Sequence, residues 1–171
     1  MLKGQDILLL ARLTVRHGKD VPRQIDLAHE LGMSQSEIVK SLRRCTEAGL
    51  LDPHTRQTYR HAFLEFAEHG LKYIFPAKLG GPTRGMPTAW AAPVLSNLTV
   101  ASDEEKPVWP LGNGTSRGVA VRPLYPSVPQ AVAHDVRLYG AIACLDLIRL
   151  GRVRERKLAV DELKRLALEN K

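Results

Sequence analysis

Apolar residues recur at helical spacing through residues 1–75 and again after residue 131, while the stretch between them follows no period. Residues 3–17 predict a first helix with Ile7, Leu10, Ala11 and Leu13 on its apolar face and Leu8, Leu9 and Val15 beside it. A Gly18-Lys19-Asp20 turn follows, then Val21 as a short strand and Pro22 at a helix start. The second helix runs from Arg23 to Leu31, with Ile25, Ala28 and Leu31 inward and Leu27 alongside. Gly32 stops it, because glycine accepts the positive φ of a helix end. Ser34 with Glu37 three residues on is a capping box opening a third helix, whose inward positions are Ile38, Leu42 and Cys45. Gly49 ends that helix and Leu50-Leu51 leave it as an extended run.

Further along, Pro53 to Tyr59 leaves room for a short hairpin, and residues 60–70 predict a helix with Phe63, Leu64, Phe66 and Ala67 inward. Leu71 to Phe75 reads as a strand or as an apolar tail of that helix, broken by Pro76. Residues 131–150 predict a helix with Val132, Val136, Tyr139, Ile142, Ala143 and Leu147 on one side. Leu138, Leu145 and Ile148 widen that face, as burial on two sides requires. After Gly151, residues 153–169 predict a last helix with Leu158, Leu163, Leu166 and Ala167 inward.

The span 24–51 resembles a winged helix-turn-helix of the MarR-like and ArsR-like regulators, and the likeness extends over residues 4–60. The positions that carry it are Ala28, Gly32, Ser34 and Ser36, Lys40, Leu42 and Gly49-Leu50-Leu51. Cys45 departs from it, standing where leucine is usual. The resemblance implies a mainly α fold. A winged helix-turn-helix is expected over residues 1–75, and the composition and periodicity of the rest predict an irregular Pro-rich segment over residues 76–130 and a C-terminal helical pair over residues 131–171, for core completion or dimerisation. The resemblance also implies that the third helix enters the major groove, where Gln and Arg or Lys side chains pair with base edges and hydroxyls reach phosphates. The outward residues of that helix are Gln35, Ser36, Val39, Lys40, Arg43 and Arg44, with Ser34 at its start. Arg56 and Arg60 sit where a wing touches the backbone. The function expected is that of a cytoplasmic transcriptional regulator, a dimeric repressor that binds double-stranded DNA. The alternative is a protein-interaction module, antitoxin-like or complex-assembling, with a partner held through residues 76–130.

Charge fits a polyanionic partner without singling out a region. The 171 residues carry a net charge of +7. Residues 1–72 hold 11 Lys and Arg against 9 Asp and Glu, residues 73–130 hold 5 against 3, and residues 131–171 hold 9 against 6. The excess is spread evenly, so a dimer is needed to concentrate it. Its densest cluster is Arg149, Arg152, Arg154, Arg156 and Lys157, either a phosphate contact or a solvated face paired with Glu155, Asp161 and Glu162.

The middle segment holds nine of the 11 prolines, both tryptophans and Tyr125. Its aromatics argue for order and its prolines against long helices, so an irregular segment wrapped on the body is expected. Asp103 to Lys106 reads as an exposed loop. Two phrases are alike, Thr83-Arg84-Gly85-Met86 and Ser116-Arg117-Gly118-Val119. Either they are turns in which arginine bonds backbone carbonyls, or they bind an acidic or phosphate-bearing partner.

No enzyme, cofactor or metal is expected. The sequence has no GxxxxGK[ST], no GxGxxG after a strand and no HExxH. His54, His61 and His69 lack the spacing of a zinc site, and His134-Asp135 is a neighbouring pair only. Cys45 and Cys144 are expected buried and reduced, with a redox switch as the alternative. The N-terminus turns polar at once and the longest apolar run, Ile7 to Ala11, is short, so neither a signal peptide nor a membrane span is expected.

Overall fold

The computed structural model describes residues 1–99 and 105–169. Asp103 and Glu104 of the expected acidic loop lie outside them. Among the described residues the chain is mixed, 54% helical, with 8 α-helices and a small three-strand sheet. A mainly α class is broadly compatible with this.

The N-terminal helices follow the apolar periodicity closely. They are α1 (Gly4–Val15), α2 (Gln24–Leu31), α3 (Gln35–Glu47) and α4 (Arg60–His69). Ile25 differs from expectation: it is 56% exposed, and the buried stripe of α2 is Leu27, Ala28 and Leu31. Val21 forms no strand. Leu71–Ile74 is a single helical turn, α5, because Gly70 interrupts α4 without reversing the chain.

Residues 76–130 are more regular than expected. They form β1 (Leu79–Pro87), β2 (Pro107–Pro110) and β3 (Ser116–Val121). β1 pairs antiparallel with both others, and β2 pairs parallel with β3, so each strand touches the other two. Proline is tolerated because it sits where a ladder donor is dispensable. Pro107 and Pro110 end β2, Pro87 ends β1, and Pro82 lies at a shift of register. Close approach requires glycine at two points. A Cβ on Gly85 would stand 1.9 Å from the Trp109 carbonyl oxygen, and one on Gly118 2.0 Å from that of Lys106.

The helix expected over 131–150 is divided. α6 (Val128–Val132) starts on Pro129 in its first turn, and α7 (Val136–Leu150) begins afresh, its N-cap Asp135 accepting from the Leu138 N–H at 3.0 Å. Val132 therefore belongs to α6, and Val136 is 73% exposed. α8 (Val153–Leu168) closes the fold, burying Ala159, Val160, Leu163, Leu166 and Ala167.

One continuous hydrophobic core includes Leu8 to Leu10 of α1, Leu27 and Leu31 of α2, Phe63 of α4, Trp109 of β2, Ala141 to Leu145 of α7 and Leu163 of α8. α7 packs against α1, α4 and α8 at its centre. The sheet is tied to it through Asp146, fully buried on α7. Its carboxylate accepts from Thr88 Oγ1 at 2.7 Å, Trp109 Nε1 at 2.8 Å and Arg149 Nη1 at 2.7 Å. Burial pushes the Asp146 carboxyl up from its ordinary range, and the Arg149 guanidinium opposes that shift. Arg149 also donates to the Phe75 carbonyl at 2.8 Å, so it leaves the basic surface cluster for the interior. The expected pairing of that cluster with Glu162 is also replaced: Glu162 bonds Arg165 at 2.6 Å.

Candidate nucleic-acid interface

The α2–α3 connection is built from local rules. Gly32 takes φ +61 at the end of α2, and the Met33 N–H returns to the Ala28 carbonyl at 3.0 Å. Ser34 Oγ accepts from the Glu37 N–H at 3.1 Å while Glu37 Oε2 accepts from the Ser34 N–H at 2.8 Å. The capping box read from the sequence is thus present, and it fixes where α3 starts. The Ser34 N–H, followed by the Tyr125 hydroxyl, holds the Glu37 carboxyl below the usual carboxylate range.

Three contacts from outside the segment hold α2 and α3. Tyr125 Oη donates to Glu37 Oε1 at 3.0 Å, and Ser127 Oγ donates to the Leu31 carbonyl at 2.5 Å. The third centres on Asp6, a buried carboxylate inside α1. Ser41 Oγ donates to its Oδ1 at 2.5 Å. Arg44 donates twice, from Nε to Oδ2 at 2.8 Å and from Nη2 to Oδ1 at 2.7 Å. The Lys3 N–H completes the set at 2.7 Å.

This arrangement corrects one expected site residue. Arg44 is turned inward by a bidentate pair with Asp6, and its side chain is 16% exposed. Asp6 hydrogen bonds hold its guanidinium above the ordinary pKa. It is a brace for α3, and the outward face loses it.

Ser34, Gln35, Ser36, Val39, Lys40 and Arg43 remain exposed on one side of α3. The other side buries Ile38, Ser41, Leu42 and Cys45. Arg43 bonds Glu47 one turn on at 2.8 Å, an exposed pair that water competes with readily.

The loop after α3 is closed by a single antiparallel bridge between Leu51 and Thr58, in place of a two-stranded hairpin. Its closure is done by Asp52, which accepts from the Thr55 N–H at 2.7 Å, the His54 N–H at 2.9 Å and Tyr59 Oη at 3.0 Å. Those bonds, the Thr55 N–H first among them, pull the Asp52 carboxyl down to about 2. Arg56 is exposed at the tip with φ +56, a left-handed conformation uncommon for a side-chain-bearing residue. With its amide oxygen toward the guanidinium, Gln24 accepts from Arg56 at 3.0 and 3.2 Å. Arg60 is separate: half-buried at the first position of α4, it lines a recess of 620 Å³ with Arg16, Lys19, Thr58 and His61.

Sequence reasoning missed Asp6, Tyr125 and Ser127. Asp6 alone had a signal, a carboxylate on the apolar stripe of Leu10 and Leu13. The two thiols are buried, which raises Cys45 to about 12 and raises Cys144 as well. Among the described residues no group of three or more His, Cys, Asp or Glu could hold a metal ion, and no helix is long and apolar enough to cross a membrane. No family model, characterised protein or solved structure matches this chain.

Proposed function

We propose that the protein is a sequence-specific DNA-binding regulator that acts as a dimeric repressor, reading DNA with α3 in a winged helix-turn-helix mode. The observation that carries the reading is the exposed strip of Ser34, Gln35, Ser36, Val39, Lys40 and Arg43 on a helix whose remaining surface is fastened to the body. Its chemistry suits base edges: Gln35 for adenine, Lys40 and Arg43 for guanine, and Val39 for a thymine methyl. Arg56 supplies a phosphate contact from the loop, and Arg60 a second from the start of α4. Two subunits place their helices one turn of DNA apart, about 34 Å, and occlude a promoter.

The test is selection from genomic fragments at several salt concentrations. A near-palindromic site should be enriched, with affinity falling steeply as salt rises. Lys40→Ala with Arg43→Ala should weaken that site by at least about 30-fold, as loss of two base contacts implies. Failure of the wild-type protein to select any fragment at low salt refutes the reading. A second reading, a protein-interaction module, is favoured by the exposure of Ile25 on α2 and of Val39 on α3. It calls for a partner whose binding is insensitive to salt and lost in Ile25→Asp.

A further inference from the structure

The two Arg-Gly phrases become one feature in the structure. They lie opposite each other in β1 and β3, with Thr83 against Gly118, Arg84 against Arg117 and Gly85 against Ser116. They are therefore paired strands, not turns. Arg84 and Arg117 are both exposed. Directly opposed residues of an antiparallel ladder hold their Cβ atoms about 5 Å apart, where like charges repel. β1, β2 and β3 contain no Asp or Glu that could relieve them, and neither arginine makes an ion pair among the described residues.

The register that opposes them is locked. The backbone of Trp109 in β2 and of Lys106 just before it occupies the space beside Gly85 and Gly118, at 1.9 and 2.0 Å from where their Cβ atoms would be. Any slip would put a side chain into that space. Alternation along each strand turns the adjacent Arg84 and Arg117 to the other face, away from β2. The fold thus fixes two arginines opposite each other at a cost in repulsion, and among the described residues neither has an ion-pair partner.

We propose that Arg84 and Arg117 form a clamp for the backbone phosphates of nucleic acid, a second contact beyond α3. Each guanidinium presents a planar fork that matches phosphate oxygens, and two forks together grip adjacent phosphates. Both side chains are exposed on paired strands, which suits an extended polyanion. It also lies within reach of α3. Arg117 is eight residues before Tyr125, which bonds Glu37 in the first turn of α3, so the two sites are separated along the chain by at most about 29 Å plus that contact. The inference rests on the DNA-binding reading given above.

The experiment measures affinity of the intact protein for one selected and one unrelated DNA duplex between 50 and 200 mM salt. Arg84→Ala with Arg117→Ala removes two phosphate contacts from each subunit of the dimer, so it should lower the slope of log affinity against log salt by about 3.6 on both duplexes and leave their ratio unchanged. The wild-type affinity should then fall about 150-fold more than the variant's across that range. Each single variant should lower the slope by about 1.8. Melting temperature should stay level or rise, because the substitutions relieve repulsion. Arg154→Ala with Lys157→Ala removes the same charge from exposed positions on α8 and should leave the slope in place. An unchanged slope in the arginine variants, or an equal fall in the α8 control, overturns the clamp while leaving the α3 reading intact. A wild-type protein that binds neither duplex overturns both.

Discussion

Replacing Arg44 by alanine separates bracing from the proposed DNA contact on the same helix. Arg44 and Arg43 are neighbours in sequence, yet one side chain is 16% exposed and the other 80%. Removing Arg44 strips two bonds from a carboxylate with no solvent access. Breaking one side of a buried pair costs about 3–5 kcal/mol, since the surviving charge stays buried. Asp6 keeps the Lys3 N–H and Ser41 Oγ, which argues for the lower end, about 3 kcal/mol. In a chain of this size that lowers the melting temperature by about 6–12 °C. Arg43→Ala loses only an exposed pair one turn away, about 0.3–0.5 kcal/mol and about 1–2 °C. Calorimetry of both variants, with DNA binding measured well below either midpoint, reads the two roles apart. Arg43→Ala should lose affinity with stability kept, whereas Arg44→Ala should lose stability, and affinity only through the loosening of α3. Adding Asp6→Asn to Arg44→Ala should raise its midpoint, because a neutral amide leaves no uncompensated charge; the two effects are then non-additive. The reasoning fails if Arg44→Ala melts within about 2 °C of wild type, the range expected of an exposed pair.

Two further outcomes follow from single positions. The folded pKa of Asp52, about 2, lies below its ordinary 3.8, so its bonds support the 52–59 loop above about pH 4 and are lost as pH falls toward 2. In NMR titration the His54 and Thr55 amides should move with a midpoint near 2, and a midpoint near 3.8 would show the turn to be open. Gly85→Ala drives a Cβ to 1.9 Å from the Trp109 carbonyl oxygen, whereas Gly81→Ala meets nothing within 4 Å. The first should cost about 3 kcal/mol and lower the midpoint by about 6–12 °C, with the second at wild type; equal midpoints for the two refute the three-strand packing.

Helix positions were legible wherever a stop residue and an apolar stripe agreed. Gly32, Ser34 with Glu37, and Gly49 set the bounds of α2 and α3 almost to the residue. The stripe alone misled at Ile25 and Val136, each in the first turn of its helix and exposed there. Residues 76–130 were opaque for a different reason. Strand propensity there is masked by proline and glycine, and both are admitted only by long-range pairing: Pro107 to Val119, Gly85 to both Pro110 and Ser116. No local window contains that information. Arg44 was misread because an arginine on a helix flank says nothing about a carboxylate 38 positions earlier.

These long-range contacts bear on the candidate interface through rigidity. A helix that reads base edges must arrive already oriented, since each contact depends on a bond of about 3 Å. α3 is fastened at its first turn by Tyr125, at the preceding turn by Ser127 acting on Leu31, and along its flank by Asp6. Two of those three residues come from the segment between β3 and α6. The proline-rich stretch is thus the frame that aims α3, and the same chain carries Arg84 and Arg117 on its sheet.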